Sequence, residues 1–248
     1  MRVITSLPNR GAFSTMQSLA VSHQEKINAI RKCSYFADLD DVVLEQLVPG
    51  TALYHYERGE VLFWEGDPCH GLHIIQTGSV KLFKISPQGR ELIINVFEEG
   101  STYNEVPVFD FGLNPVNVAA LDSCYVWVID PEVIHSALRR HPEMSRAVIA
   151  NLSKNLRMLV NKVEELSFYQ VTNRLARLIS QLSEEQLSGE SSYRITQDQL
   201  AARLGTVREV VARSLRELQR SGAIKVRQRQ IEILDERVLK SWSESPYE

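Results

Sequence analysis

Cysteine is scarce. Cys33, Cys69 and Cys124 are the only three in 248 residues, too few and too scattered for a disulfide framework. No Cys-x-x-Cys pair is present, so a zinc knuckle is not expected and no metal ligand is assigned. No apolar run approaches the roughly 18 residues a membrane-spanning helix needs, and no membrane partner is expected. The first 25 residues hold Arg2, Pro8, Arg10 and Gly11 but no apolar h-region, and read as a loose tail rather than a signal peptide. A cytoplasmic setting follows. Enzyme signatures are also missing: there is no phosphate-cradling glycine loop, no His-Glu-x-x-His and no Gly-x-Ser-x-Gly. No catalytic residue is assigned.

What is present is ordinary globular composition, with 44% apolar and 24% charged residues, which excludes a mostly disordered or collagenous chain. The net charge of -3 conceals an asymmetry. Between Arg194 and Arg229 nine Lys and Arg face three acids (Asp198, Glu209, Glu217), so the rest of the chain is distinctly acidic. A basic segment on an acidic protein points to a local polyanion contact, although a solvated helix face has the same charge.

Residues 26–130 form the first unit. Ile27, Ile30, Tyr35, Phe36, Leu39, Val42, Val43, Leu44 and Leu47 suggest short helices. From Thr51 to Ile129 the texture changes to short β-branched runs such as Val80-Lys81-Leu82-Phe83 and Tyr125-Val126-Trp127-Val128-Ile129. Turns such as Arg58-Gly59-Glu60, Glu65-Gly66-Asp67-Pro68 and Pro87-Gln88-Gly89 separate them. Many short strands with glycine turns predict an antiparallel roll or barrel.

Residues 131–168 form a helical region. Asp130 suits an N-cap and Pro131 the first helical position. Beyond His141-Pro142, Ile149, Leu152, Leu156, Leu159, Val163 and Leu166 recur at alternating intervals of three and four. That spacing makes an a/d seam, with Leu at d, suited to a parallel two-stranded coiled coil and hence a homodimer. The same stripe would also serve a helix packed along its own roll. Phe168-Tyr169-Gln170 interrupts the seam and marks a hinge.

Residues 169–248 carry the decisive pattern. After a helix with Val171, Leu175, Leu178, Ile179 and Leu182 inward comes a polar stretch, Ser183 to Ser192. Thr196 and Gln199 then fit a capping box for a helix burying Leu200, Ala201 and Leu204. Gly205 supplies a turn, and Thr206 with Glu209 fits a second capping box. The following helix places Val207, Val211, Leu215 and Leu218 inward and Arg208, Glu209, Ala212, Arg213 and Arg216 outward. Two short helices across a glycine turn are a helix-turn-helix. Glu209 and Arg213, four apart, are placed to pair. Arginine matches guanine O6 and N7, and a carboxylate accepts from cytosine N4, so Arg208, Glu209 and Arg213 are the candidate base readers. Ile224 to Leu234 alternates as a hairpin wing, with Arg227 and Arg229 placed to touch phosphate. Thr196, Thr206 and Arg216 complete the candidate DNA-backbone contacts. Ordinary surface charge is the alternative reading of this face.

Taken together these residues resemble the CRP/FNR superfamily of bacterial transcription regulators, from about Ile27 to Leu239. The resemblance rests on Arg58-Gly59-Glu60, Glu65-Gly66-Asp67, Thr77-Gly78-Ser79-Val80-Lys81, the Ile149 to Leu166 helix, Val171 to Ala176, and Thr196 to Arg213. It implies an α+β fold: an N-terminal jelly-roll-type antiparallel β-roll like the cyclic-nucleotide-binding domain, a long dimerisation helix, and a C-terminal winged helix-turn-helix. It also implies double-stranded DNA with TGTGA-like inverted half-sites, and RNA polymerase, as partners.

The resemblance breaks at the effector. Cyclic-nucleotide members carry Gly-Glu opening a phosphate cassette and an Arg-Ser or Arg-Thr further on. Here Asn104 precedes Glu105, and Pro115-Val116 falls where the arginine pair belongs. No Lys or Arg lies between Arg90 and Arg139. A buried phosphate without a cation or several donors is costly. The hydroxyl pair of the dimer helix falls on Leu159-Val160. Cyclic AMP is therefore not the expected effector. An iron-sulfur cluster needs four thiolates, which three dispersed cysteines do not supply. Haem stays open, with His55, His70, His73, His135, His141, Tyr103 and Cys124 as candidate ligands, although lone histidines are more often structural. The compact Cys69-His70 and His73 group is the alternative metal candidate. The expected effector pocket comprises Tyr103, Asn104, Glu105, Val106, Asn114, Leu156 and Leu159. Its apolar cassette suits an apolar or haem-like effector, or a plugged roll needing none. A second function class, a small-molecule sensor acting through protein contacts, would not need Arg208, Glu209 and Arg213 together.

Overall fold

The computed structural model describes residues 18–33, 35–37, 39–182, 196–227 and 230–244. Residues 1–17 of the expected tail, the stretch Ser183 to Ser192, Arg194 and Arg229 lie outside the described residues.

The described chain begins earlier than the expected tail would allow. Leu19 forms a backbone bridge to Leu53 at 2.9 Å. Helix α1 (His23–Lys32) opens on a complete Ser22–Glu25 capping box. Its Ile27 and Ile30 are buried with Val43, Leu44 and Leu47 of α2 (Asp41–Leu47). Val42, one of the apolar residues that suggest these helices, is 71% exposed, because the helical turn that buries Val43, Leu44 and Leu47 points Val42 the other way.

Eight strands make the roll. One sheet runs β1 (Thr51–Tyr56), β8 (Cys124–Ile129), β3 (Leu72–Thr77), β6 (Thr102–Tyr103). The other runs β2 (Val61–Phe63), β7 (Asn117–Ala120), β4 (Val80–Ile85), β5 (Glu91–Phe97). All ladders are antiparallel. The register between β4 and β5 shifts between Leu82 and Phe83, and a bulge of this kind re-aims side chains. Short α3 (Glu105–Asp110) follows β6 directly. The apolar runs in the sequence correspond to β2, β3, β4, β5 and β8.

The region 131–168 is two helices. Asp130 caps α4 (Pro131–Arg140), accepting from the Glu132 amide at 2.7 Å. The chain breaks at His141-Pro142, where proline has no N–H to continue the ladder, and α5 (Glu143–Phe168) follows. Met144 and Val148 of α5 are buried in the core shared with α1, α2 and the first sheet.

The C-terminal unit contains α6 (Val171–Gln181), α7 (Gln197–Leu204), α8 (Arg208–Arg220), the wing strands β9 (Ile224–Arg227) and β10 (Gln230–Ile233), and α9 (Glu236–Glu244). Leu175, Ile179, Leu200, Leu204, Val211, Leu215, Leu218 and Leu239 share its core. The corner between α5 and α6 is two residues, Tyr169 and Gln170. Arg177 ties it, bridging Glu165 at 2.7 Å and lying 4.3 Å over the Tyr169 ring. Among the described residues no helix is long and apolar enough to cross a membrane.

Candidate nucleic-acid interface and effector cassette

The helix-turn-helix is built from local chemistry. Thr196 accepts from the Gln199 amide at 3.2 Å and Gln199 accepts from the Thr196 amide at 2.7 Å, completing the expected capping box. Gly205 adopts φ +64°, a left-handed conformation that glycine takes at no steric cost. The Thr206 amide then bonds the Ala201 carbonyl at 3.0 Å, closing the turn. That closure explains a departure from the expected second capping box. Thr206 belongs to the turn, and Val207 is the N-cap of α8, with no side-chain cap bond. Val207 is 37% exposed, not inward, while Val211, Leu215 and Leu218 are buried as the spacing predicted.

Helix α8 is held by polar contacts on its inner side. The Thr172 hydroxyl of α6 reaches Ser214 at 2.9 Å and Glu217 at 2.6 Å. Arg174 donates to the Leu204 carbonyl at 3.0 Å, fixing the end of α7. The outer face is turned to the surface. Arg208, Glu209, Arg213 and Arg216 are exposed and Ala212 is half-buried. The anticipated Glu209–Arg213 pair is not formed, and neither residue has an ion pair among the described residues. Instead Arg208 lies 3.5 Å from Asp198 of α7. Arg216 donates to the Ala212 carbonyl of its own helix. Arg227 is exposed at the end of β9, where it pairs with Gln230 across the wing.

The long helix shows two faces. Ile149, Leu156, Leu159, Val163 and Leu166 are each between 49% and 64% exposed, beside exposed Val160 and Phe168. Leu152 departs from the expected seam: it is half-buried against the core of its own chain, following the line of Met144 and Val148. Asn155 and Lys162 also turn inward, so the packed-helix alternative describes one face and the open seam describes the other.

The expected effector pocket divides in the same manner. Tyr103, Asn104, Glu105 and Asn114 are buried, and of these Asn104 and Asn114 are brought into contact. Val106, Leu156 and Leu159 are exposed and take no part in that interior. Tyr103 is fully buried, stacked on His73 at 4.9 Å and on Phe97 at 5.7 Å between centroids. Its hydroxyl is buried without a hydrogen-bond partner, and burial drives its pKa well above the usual phenol range. Asn104 takes φ +70°, which asparagine tolerates better than most residues. Its amide donates to the Gly71 carbonyl at 3.1 Å and to Asn114 at 3.3 Å. Glu105 accepts from Asn155 of α5 and bonds the Tyr35 hydroxyl, and burial raises its pKa. Pro115 is exposed and Val116 half-buried, so neither gives the cassette a cation or a hydroxyl. Two clefts among the described residues, one lined by Gln46, Val133 and Arg140 and one by Lys81, Phe83 and Gln199, lie elsewhere.

The candidate haem ligands have protein partners. His73 donates from Nδ1 to the Gly71 carbonyl, 2.9 Å away, and burial lowers its pKa to about 3. His55 meets Ser123, His135 the Val108 carbonyl, and His141 both Gln46 and Glu143. His70 also has a partner. Cys124 is buried, with its thiol pKa pushed up to about 12 by desolvation. No three His, Cys, Asp or Glu side chains among the described residues gather as a metal site, the Cys69, His70 and His73 group included. Tyr35 registers in the sequence only as one of the apolar residues of the first helices, and Asn155 not at all, so neither is marked there as a partner of Glu105. Lys162, donating to the Ile94 carbonyl, is hidden there as one more helix charge.

Residues 53–141 match the family model described as a cyclic nucleotide-binding domain, and residues 173–242 the Crp-like helix-turn-helix domain. Together they cover more than half the chain. The chain belongs to the CRP/FNR family of transcription regulators. A CRP-like cAMP-activated global transcriptional regulator of Mycobacterium tuberculosis is 26% identical over 83% of this chain and 94% of its own. A solved CRP/FNR transcriptional regulator from Thermus thermophilus is 26% identical, covers 78% of this chain and 98% of its own, and superposes with a TM-score of 0.61. Another, from Eubacterium rectale, shares the fold at 20% identity with a TM-score of 0.69, over 85% of this chain and 99% of its own. This CRP/FNR member thus combines a cyclic-nucleotide-type roll with a DNA-binding helix-turn-helix.

Proposed function

We propose that this CRP/FNR regulator binds an inverted-repeat operator as a homodimer, with Arg208, Glu209 and Arg213 reading bases from the first turns of α8. The observation that carries the reading is the outer face of α8: it is basic and exposed, and Glu209 and Arg213 are not paired to their own chain among the described residues. Thr196, Thr206, Arg216 and Arg227 then grip the DNA backbone, joined by Arg229. Ile149, Leu156, Leu159, Val163 and Leu166 join two chains, since a continuous apolar stripe of this size on a monomer marks an interface. Two α8 helices related by the dimer axis would enter successive major grooves ~34 Å apart. TGTGA-like half-sites suit this reading, with the arginines on guanine and Glu209 on cytosine. The cytoplasm and RNA polymerase complete the setting, and no catalytic role is assigned.

On the sensor side, the named Mycobacterium relative is cAMP-activated, but the chemistry for cyclic AMP is not retained here. The cassette has no cation, its asparagines are bonded to one another, and the roll interior is occupied by Tyr103, His73 and Phe97. We take the regulator to bind DNA without a cyclic nucleotide. Binding selection from randomised DNA tests the reading face. Arg213→Ala should cost roughly 1–3 kcal/mol on the selected site and relax one base pair in each half-site. An unchanged motif at every position would remove α8 as the reader.

A further inference from the structure

The residue that opens α8 breaks a local rule. Val207 is the N-cap, with φ -111° and ψ 155°. Its carbonyl accepts from the Val210 and Val211 amides at 3.0 and 3.2 Å, but its side chain makes no cap bond. Valine is among the least favourable residues at an N-cap, because it has no oxygen to offer the first amides of the helix. Helices α1, α4 and α7 each open on such an oxygen, from Ser22, Asp130 and Thr196. Thr206 stands one residue too early to cap, held in the turn by its amide bond to the Ala201 carbonyl. Burial does not account for the valine either. It is 37% exposed and lies outside the apolar cluster that takes Val211, Leu215 and Leu218. Val207 therefore neither caps its helix nor fills its core.

Its surroundings point to another use. Exposed Arg208 and Glu209 follow it directly, at the end of a recognition helix that meets base edges. Of the groups read in the major groove, the thymine C5-methyl is the one that takes an apolar contact. We propose that Val207 is a specificity-determining residue, whose side chain packs on the C5-methyl of one thymine in each half-site. That thymine lies next to the base pair read by Arg208, since adjacent Cα atoms are about 3.8 Å apart and successive bases about 3.4 Å. An oxygen-bearing residue would cap the helix better but would present a hydroxyl to the methyl. Local rules are broken in this manner at functional positions. The proposal rests on α8 being the DNA reader, and adds to its three charged residues a contact that no hydrogen bond supplies.

The test uses the full-length protein and an inverted-repeat operator obtained by selection, with binding followed by fluorescence anisotropy at fixed salt. Each thymine is replaced in turn by deoxyuridine, symmetrically in both half-sites, which removes the methyl and leaves every hydrogen-bonding group. At one position wild type should bind the deoxyuridine operator more weakly by about fourfold per methyl, and by about 15-fold for the two together. Val207→Ser should bind the thymine and deoxyuridine operators equally at that position, while its thermal transition rises because the helix gains a cap. Val207→Ala, which keeps only one carbon, should show an intermediate ratio. Equal affinity of wild type for both operators at every thymine would overturn the proposal. So would a wild-type ratio retained in Val207→Ser, because a merely structural valine would weaken both operators alike. Failure of the underlying reading is told apart by Arg213→Ala. If that variant relaxes the selected motif while no thymine is sensitive, α8 reads bases and Val207 does not. If its motif is unchanged, α8 is not the reader and both fall.

Discussion

Helix α8 keeps Glu209 and Arg213 at the surface without an ion pair among the described residues, whereas the cassette after β6 uses its polar groups on itself. Asn104 bonds Gly71 and Asn114, and Glu105 bonds Asn155 and Tyr35. Both regions lie in domains that match one family, yet the Asn104 and Glu105 side chains are taken up by their own chain, while Glu209 and Arg213 are not. The difference teaches that a retained fold does not imply a retained site. A ligand surface needs unsatisfied groups of the right charge, and the cassette spends Asn104, Asn114 and Glu105 on its own chain.

The contrast depends first on two copies of α8 acting together. Leu156→Lys with Leu159→Lys should give monomers by light scattering, because four ammonium groups would meet in the seam. Loss of the second half-site should weaken operator binding by roughly 100-fold or more. Leu152→Lys should behave differently. Leu152 packs on its own core, so that variant should lower the thermal transition rather than simply dissociate the dimer.

Inside the roll, the unpartnered Tyr103 hydroxyl offers a test of the filled interior. An unsatisfied buried polar group costs on the order of 1 kcal/mol or more, so Tyr103→Phe should raise stability by about that amount in chemical denaturation. A large loss would mean that the hydroxyl serves a bound ligand.

Glu105 adds a pH-dependent test. Its folded-state pKa is raised above the ordinary 4.5 by burial, so folding favours the protonated acid. Its contribution is therefore present at acidic pH and is lost as pH rises from 4.5 through the raised value. Glu105→Gln stays neutral throughout. Its stability relative to wild type should grow with pH across that window and level off above it. A flat difference would mean that the carboxylate is not titrating in this environment.

The smallest effect is expected at the wing. Arg227→Ala should weaken all DNA sequences alike and reduce the salt-dependence slope by about 1, leaving the selected motif intact.

Much of the C-terminal half is readable from the chain because its signals are local. A capping box spans four residues, the turn needs one glycine, and the inward stripe of α8 repeats every three or four positions. Even there Thr206 misleads, since whether it caps or closes a turn depends on one backbone angle at Gly205. The roll is readable as a roll, but the sequence pattern does not single out β1, β6, β7 and α3. Two of them, β6 and α3, are too short for any period to register. The fate of the cassette is beyond local reading altogether. Glu105 finds its partner fifty residues away, and Tyr103 stacks on residues from two other strands. Leu152 shows the limit of the heptad: an apolar residue at a d position can serve its own core as readily as a partner's.

The most direct test is a titration of the selected operator with purified dimer, at one stated salt concentration, with and without saturating cyclic AMP. The account predicts tight, sequence-specific binding without the nucleotide and the same Kd in its presence. Specific binding that appears only on adding cyclic AMP would contradict it, and would return the cassette to use as a nucleotide site.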